Sequence, residues 1–180
     1  MTFNPEIKAG QSVELLKELH ILTRDGKLNQ DSRRKLKQVN HLLQFITPVL
    51  REAFDLKKEI SLIDHGAGKS YLGFMLYDDF FKDKDSGYVY GIETRNDLVE
   101  KSSSLAQHLG FERMRFLHLS VEESIDAPQI PRHVDVVTAL HACDTATDDA
   151  IRFALHKNAA AIILVPCCQA EVASLLRQHK

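Results

Sequence analysis

From residue 59 onward this chain alternates short apolar runs with amphipathic ones, and no other feature constrains its fold as strongly. The apolar runs are residues 60–63, 88–92, 114–119, 134–140 and 160–165. Between them, helical spacing predicts helices over 70–81, 96–109 and 147–156, with a last one from Gln169 onward. Strands that are mostly apolar and joined by helical crossovers mean a parallel sheet covered on both faces. Right-handed crossovers with one reversal after the third strand give the spatial order 3-2-1-4-5. The expectation is therefore α/β: a Rossmann-like, doubly wound sheet over residues 59–180, preceded by a helical segment over 1–58. In that segment Val13, Leu16, Leu19 and Leu22 share a helical face until Asp25-Gly26 breaks it. Asp31 or Ser32 is the expected cap of a second helix, built on Leu36, Val39, Leu43 and Ile46. Pro48 is expected to kink or restart that helix, with helix continuing towards Leu56.

The first strand runs into Asp64-His65-Gly66-Ala67-Gly68-Lys69-Ser70, and a helical pattern begins at once. A strand, a tight glycine turn and a helix start mark where a doubly wound sheet receives a nucleotide-like ligand. The second strand ends in Glu93. Two acids flanking a glycine turn suit a ligand with a ribose and a cation and suit a diphosphate poorly, which points to S-adenosylmethionine. Glu93 can accept from both ribose hydroxyls, Thr94 lies beside it for the adenine edge, and Asp64 can hold the methionine ammonium. Gly66, Ala67 and Gly68 let the backbone approach the amino-acid part. A phosphate loop would need glycine where Ile63 stands, and a dinucleotide turn would need it at Tyr71. The same residues also admit plainer roles: the glycines serving the turn alone, and Glu93 capping the helix that follows it.

Composition narrows the class. At 180 residues and 44% hydrophobic content, one core and one domain are expected. A net charge of −2 gives no global footprint for nucleic acid, although Arg33-Arg34-Lys35 and Lys37 cluster locally, as a solvated face or a phosphate patch. Three cysteines, two of them adjacent, make no disulfide framework and suggest a reducing compartment. With no signal-peptide core and no spanning apolar run, the expectation is a soluble, cytoplasmic protein without a membrane partner.

These motifs resemble the class I S-adenosylmethionine-dependent methyltransferases, with Asp64-x-Gly66-x-Gly68 as their first motif and Glu93 as their second-strand acid. Ser70 stands where many members have a third glycine. After strand four the chain reads Leu140-His141-Ala142-Cys143-Asp144, and after strand five Pro166-Cys167-Cys168-Gln169. Those segments are similar to a subgroup that includes tRNA acceptor-stem 2′-O-methyltransferases and methyltransferase-like proteins that modify a ribosomal-protein histidine. The domain of the glutathione-S-transferase C-terminal-domain-containing protein belongs there too. The resemblance implies adenine contacts at Ser120, Val121 and Glu122, with Ser120 serving equally as a cap before Glu123, and a cofactor wall at Leu140. It also implies a catalytic rim of His141 and Asp144, and a lid or acceptor contact at Lys37 and Gln38. His141 serves equally as base or structural hydrogen-bond partner, and Asp144 as its orienter or a helix cap. Leu140 and Gln169 replace a lysine and a histidine of the tRNA enzymes, so their reaction does not carry over directly. Members of the family continue into two further strands. The chain therefore reads as part of a longer enzyme, with further strands or a partner chain covering the fifth strand's edge. His141, Cys143, Cys167 and Cys168 lack zinc-site spacing, so no metal is expected. The resulting expectation is methyl transfer to RNA or to a protein of the translation machinery. The alternatives are a non-catalytic cofactor- or partner-binding module and, less favoured, a nicotinamide-dependent oxidoreductase.

Overall fold

Every residue of β1 (Ser61–His65) is buried, as a strand covered on both faces must be. It pairs in parallel with β2 (Tyr88–Glu93) on one side and β4 (Val136–Leu140) on the other. β3 (Met114–His118) and β5 (Ala161–Val165) complete a five-stranded parallel sheet in the order β3-β2-β1-β4-β5, as the alternation predicts. The structure, a computed structural model, describes residues 7–140, 145–166 and 176–177. β1 runs two residues beyond the apolar run, so Asp64 lies inside the sheet, opposite Gly91 and Thr138.

The helices are α1 (Val13–Glu18), α2 (Gln30–Lys57), α3 (Tyr71–Leu76), α4 (Asn96–His108), α5 (Val121–Asp126) and α6 (Thr145–His156). A π-helical turn, Tyr77–Phe81, extends α3. Alternating strand residues feed two cores. Leu62, Val89 and Val136 join the core built with α2, α3 and α4. Ile63, Ile92 and Val137 join Ala127, Ile130 and Phe153 in the other.

Two details of the helical segment differ from expectation. The cap of α2 is Asn29, whose side chain accepts from the Ser32 N–H at 2.8 Å, while Asp31 and Ser32 sit in the first turn. Nor does α2 restart at Pro48; it continues to Lys57. An interior proline costs about 3 kcal/mol. The stripe Leu36, Val39, Leu43, Ile46 and Leu50 is buried on both sides of it, each residue worth roughly 1.5–3 kcal/mol. Thr47 adds a hydrogen bond from Oγ1 to Asp79 Oδ2 at 2.8 Å. Among the described residues no helix is long and apolar enough to cross a membrane.

Candidate functional site

The sheet changes winding direction between β1 and β4, and the crevice beyond their carboxyl ends is where such folds take ligands. The turn after β1 is left-handed at Gly66 (φ 65°), Gly68 (φ 58°) and Ser70 (φ 49°). Nothing lies within 4 Å of where a Cβ on Gly66 would sit, so that side of the turn is open. Ser70 lacks glycine's freedom, but its Oγ donates to Asp64 Oδ2 at 2.9 Å, which offsets the strain. Thr138 Oγ1, on β4, donates to Asp64 Oδ1 at 3.1 Å. Asp64 is thus 2% exposed, tied to β4 and to the residue preceding α3. Burial pushes its carboxyl up to about 6 despite those hydrogen bonds.

Glu93 is differently placed. Its Oε2 accepts from the Gly68 N–H at 2.8 Å, joining the end of β2 to the glycine turn. Its Oε1 accepts from the Arg95 N–H and Nε, both at 3.0 Å, and Arg95 Nη2 reaches Oε2 at 3.1 Å. Burial alone would raise this carboxyl, but hydrogen bonds from Arg95 and the Gly68 amide hold it down at about 2. The Arg95 side chain is 64% exposed and lies 3.7 Å from where a Cβ on Gly68 would sit. A solvent-facing guanidinium therefore covers the carboxylate. Thr94, also exposed, donates from Oγ1 to Glu93 Oε1 at 3.3 Å.

The third strand's end is capped rather than open. Ser120 Oγ accepts from the Glu123 N–H at 3.3 Å, and the Ser120 N–H donates to Glu123 Oε2 at 2.7 Å. This capping box starts α5 at Val121, and Glu122 pairs with Arg152 at 2.8 Å. Leu140, at the end of β4, lines a cavity of about 460 Å³ together with Gln38, Tyr71 and Val165. Lys37 is exposed and does not line it among the described residues. His141, Cys143, Asp144, Cys167, Cys168 and Gln169 lie outside the described residues.

Three contributors were not anticipated from sequence: Thr138, Arg95 and Gly91. A Cβ on Gly91 would come within 2.5 Å of the Phe116 ring and 3.4 Å of the Ala67 Cβ, so this glycine lets β2 pack beneath the turn. A glycine inside a strand is itself a signal of close approach. Arg95, two residues beyond Glu93, was legible as a neighbour but not as a cover. Next to Asp64, the buried His65 has no hydrogen-bond partner for Nε2 among the described residues and packs against Phe153, 5.4 Å between rings. Burial pulls its pKa down.

An open glycine turn is thus flanked by a carboxylate held at about 2. Residues 34–175 match the family described as a methyltransferase domain. The chain belongs to that family. No curated protein matches the sequence. Among solved structures, the methyltransferase-domain chain is similar to WbdD at 18% identity, over 69% of this chain and 29% of that one, with a TM-score of 0.52. It is similar to an rRNA methylase from Streptococcus thermophilus at 15% identity, over 67% and 69%, with a TM-score of 0.47. The YcgJ protein from Bacillus is 20% identical over 55% of this chain, with a TM-score of 0.42, and this chain spans 39% of its length. At such identities the likeness to WbdD bears on the fold alone.

Proposed function

We propose that this methyltransferase domain binds S-adenosylmethionine at the ends of β1, β2 and β4 and directs its methyl group to RNA or to a protein of the translation machinery. One observation carries the cofactor assignment: an open left-handed glycine turn lies beside a carboxylate on the adjacent strand, Glu93, which accepts from the Gly68 N–H of that turn. The residues fit the group. Glu93 would accept from the ribose hydroxyls in place of the Arg95 side chain, and the Gly66–Gly68 backbone would hold the methionine part. Asp64 contributes by holding the turn, since Ser70 and Thr138 already engage both of its oxygens. Thr94 and the first turn of α5, Val121 and Glu122, border the adenine side, with Ser120 fixing that turn.

When bound, the cofactor supplies a sulfonium-activated methyl carbon. What remains for the chain is alignment of the acceptor and, where the acceptor must lose a proton, a base. Leu140 forms the wall there, and we assign the base to His141 with Asp144 orienting it.

Calorimetric titration with S-adenosylhomocysteine tests the reading. We expect binding that Gly66→Val or Glu93→Ala abolishes; no binding by the unaltered protein overturns it. A second reading, a cofactor- or partner-binding module without turnover, is favoured by the engagement of Glu93 with Arg95 and Gly68. Methyl incorporation into bulk RNA or ribosomal protein would remove that alternative.

A further inference from the structure

The cavity at the end of β4 has a character that the cofactor does not explain. Its walls are Ile21, Val39, Leu42, Tyr71, Leu140 and Val165, all apolar or aromatic. Its remaining lining residues are Lys35, Gln38 and His41, all exposed on α2, and no acid lines it among the described residues. Tyr71 also lines a second cavity, of about 300 Å³, on the side of α4, to which Lys69, Lys101 and His20 contribute. Lys101 is held by Asp97 at 3.1 Å and Glu18 lies on that cavity's wall, while Lys69 pairs with no acid among the described residues. Lys35 likewise pairs with no acid among the described residues. One turn beyond His41 on α2, Phe45 is 62% exposed, its ring edge-on to the imidazole at 4.9 Å. An apolar cavity of about 460 Å³ thus lies next to a second cavity lined by Lys69, with Lys35 and the exposed His41–Phe45 pair at its own rim.

We propose that this surface is the acceptor site and that it takes a single-stranded RNA segment. One base enters the cavity beside Leu140, the neighbouring base stacks on Phe45, and the flanking phosphates lie on Lys35 and Lys69. A duplex cannot supply a base to the cavity without unpairing it, and stacking with scattered cations is the chemistry of single-strand recognition. The choice of acceptor rests on the methyl-transfer reading; the binding surface does not. Neutral rings without anions, such as an aromatic side chain of a protein acceptor, would leave Lys35 and Lys69 without a role.

The test is fluorescence anisotropy with a labelled single-stranded oligonucleotide and its duplex at several salt concentrations, alongside S-adenosylhomocysteine calorimetry on each variant. We expect single strand to bind at least tenfold tighter than duplex. Lys35→Glu and Lys69→Glu should each reduce the salt slope by about 0.7. Phe45→Ala, at an exposed position, should weaken binding roughly fivefold to a hundredfold while calorimetry stays unchanged. The proposal is overturned if the unaltered protein ignores RNA, if duplex binds equally, or if the three substitutions leave RNA affinity intact. A protein that binds RNA as expected but not S-adenosylhomocysteine would instead overturn the cofactor reading.

Discussion

At the end of β1 a carboxylate is sealed beneath the glycine turn; one strand over, at the end of β2, a carboxylate meets the crevice under a single guanidinium. Asp64 is held by two hydroxyls and burial raises its pKa to about 6. Glu93 is held by backbone amides and Arg95, which keep it at about 2 despite burial. One acid is therefore locked into the sheet, while the other is joined to an exposed side chain at the crevice. Hydroxyl partners inside a sheet relieve the charge only partly, whereas a guanidinium stabilises it and can still exchange with solvent.

The largest effect expected from this contrast is on stability against pH. The folded pKa of Asp64 lies above its unfolded value, 3.8, so its contribution is fully present below pH 3.8 and lost as pH rises through about 6. That is on the order of 3 kcal/mol at about 1.4 kcal/mol per pH unit. Denaturant unfolding between pH 4 and pH 7.5 should show this decline, and Asp64→Asn should flatten most of it. A wild-type slope unchanged in the variant would break the contrast. Glu93 has the opposite sign: its contribution is present above pH 4.5 and lost as pH falls through about 2, outside that window.

Next in size is ligand affinity. Glu93→Gln keeps the shape but loses the charge, so S-adenosylhomocysteine should bind about tenfold to a hundredfold more weakly, equivalent to roughly 1.4–2.7 kcal/mol. The smallest effect belongs to Arg95→Ala. Removing the guanidinium that ribose would displace in the proposed site should tighten S-adenosylhomocysteine binding about threefold. Weaker binding would show instead that Arg95 contacts the ligand.

Much of this arrangement was legible beforehand. Apolar runs and crossover lengths led to the strand order, because a parallel sheet buried on both faces admits few topologies. The turn was legible at Gly66 and Gly68, where left-handed backbone favours glycine. The division of labour between the acids was not. Thr138 lies 74 residues from Asp64 in the chain, and nothing local to either announces the pairing. Ser120 was legible as a cap before Glu123 as well as an adenine contact, and the capping box with Glu123 is present; the ion pair of Glu122 with Arg152, 30 residues away, was not legible. Gln38 and Lys37 are neighbours in sequence, yet only Gln38 lines the cavity, since adjacent helical residues point about 100° apart.

By itself the sequence determined the sheet, its reversal and the glycine turn, because periodicity and backbone freedom are local properties. Only the tertiary structure decided which acid is buried, which is covered by Arg95, and that α2 brings Lys35 and His41 to the end of β4. Those outcomes depend on desolvation and on contacts between distant segments, and both exist only once the chain has packed.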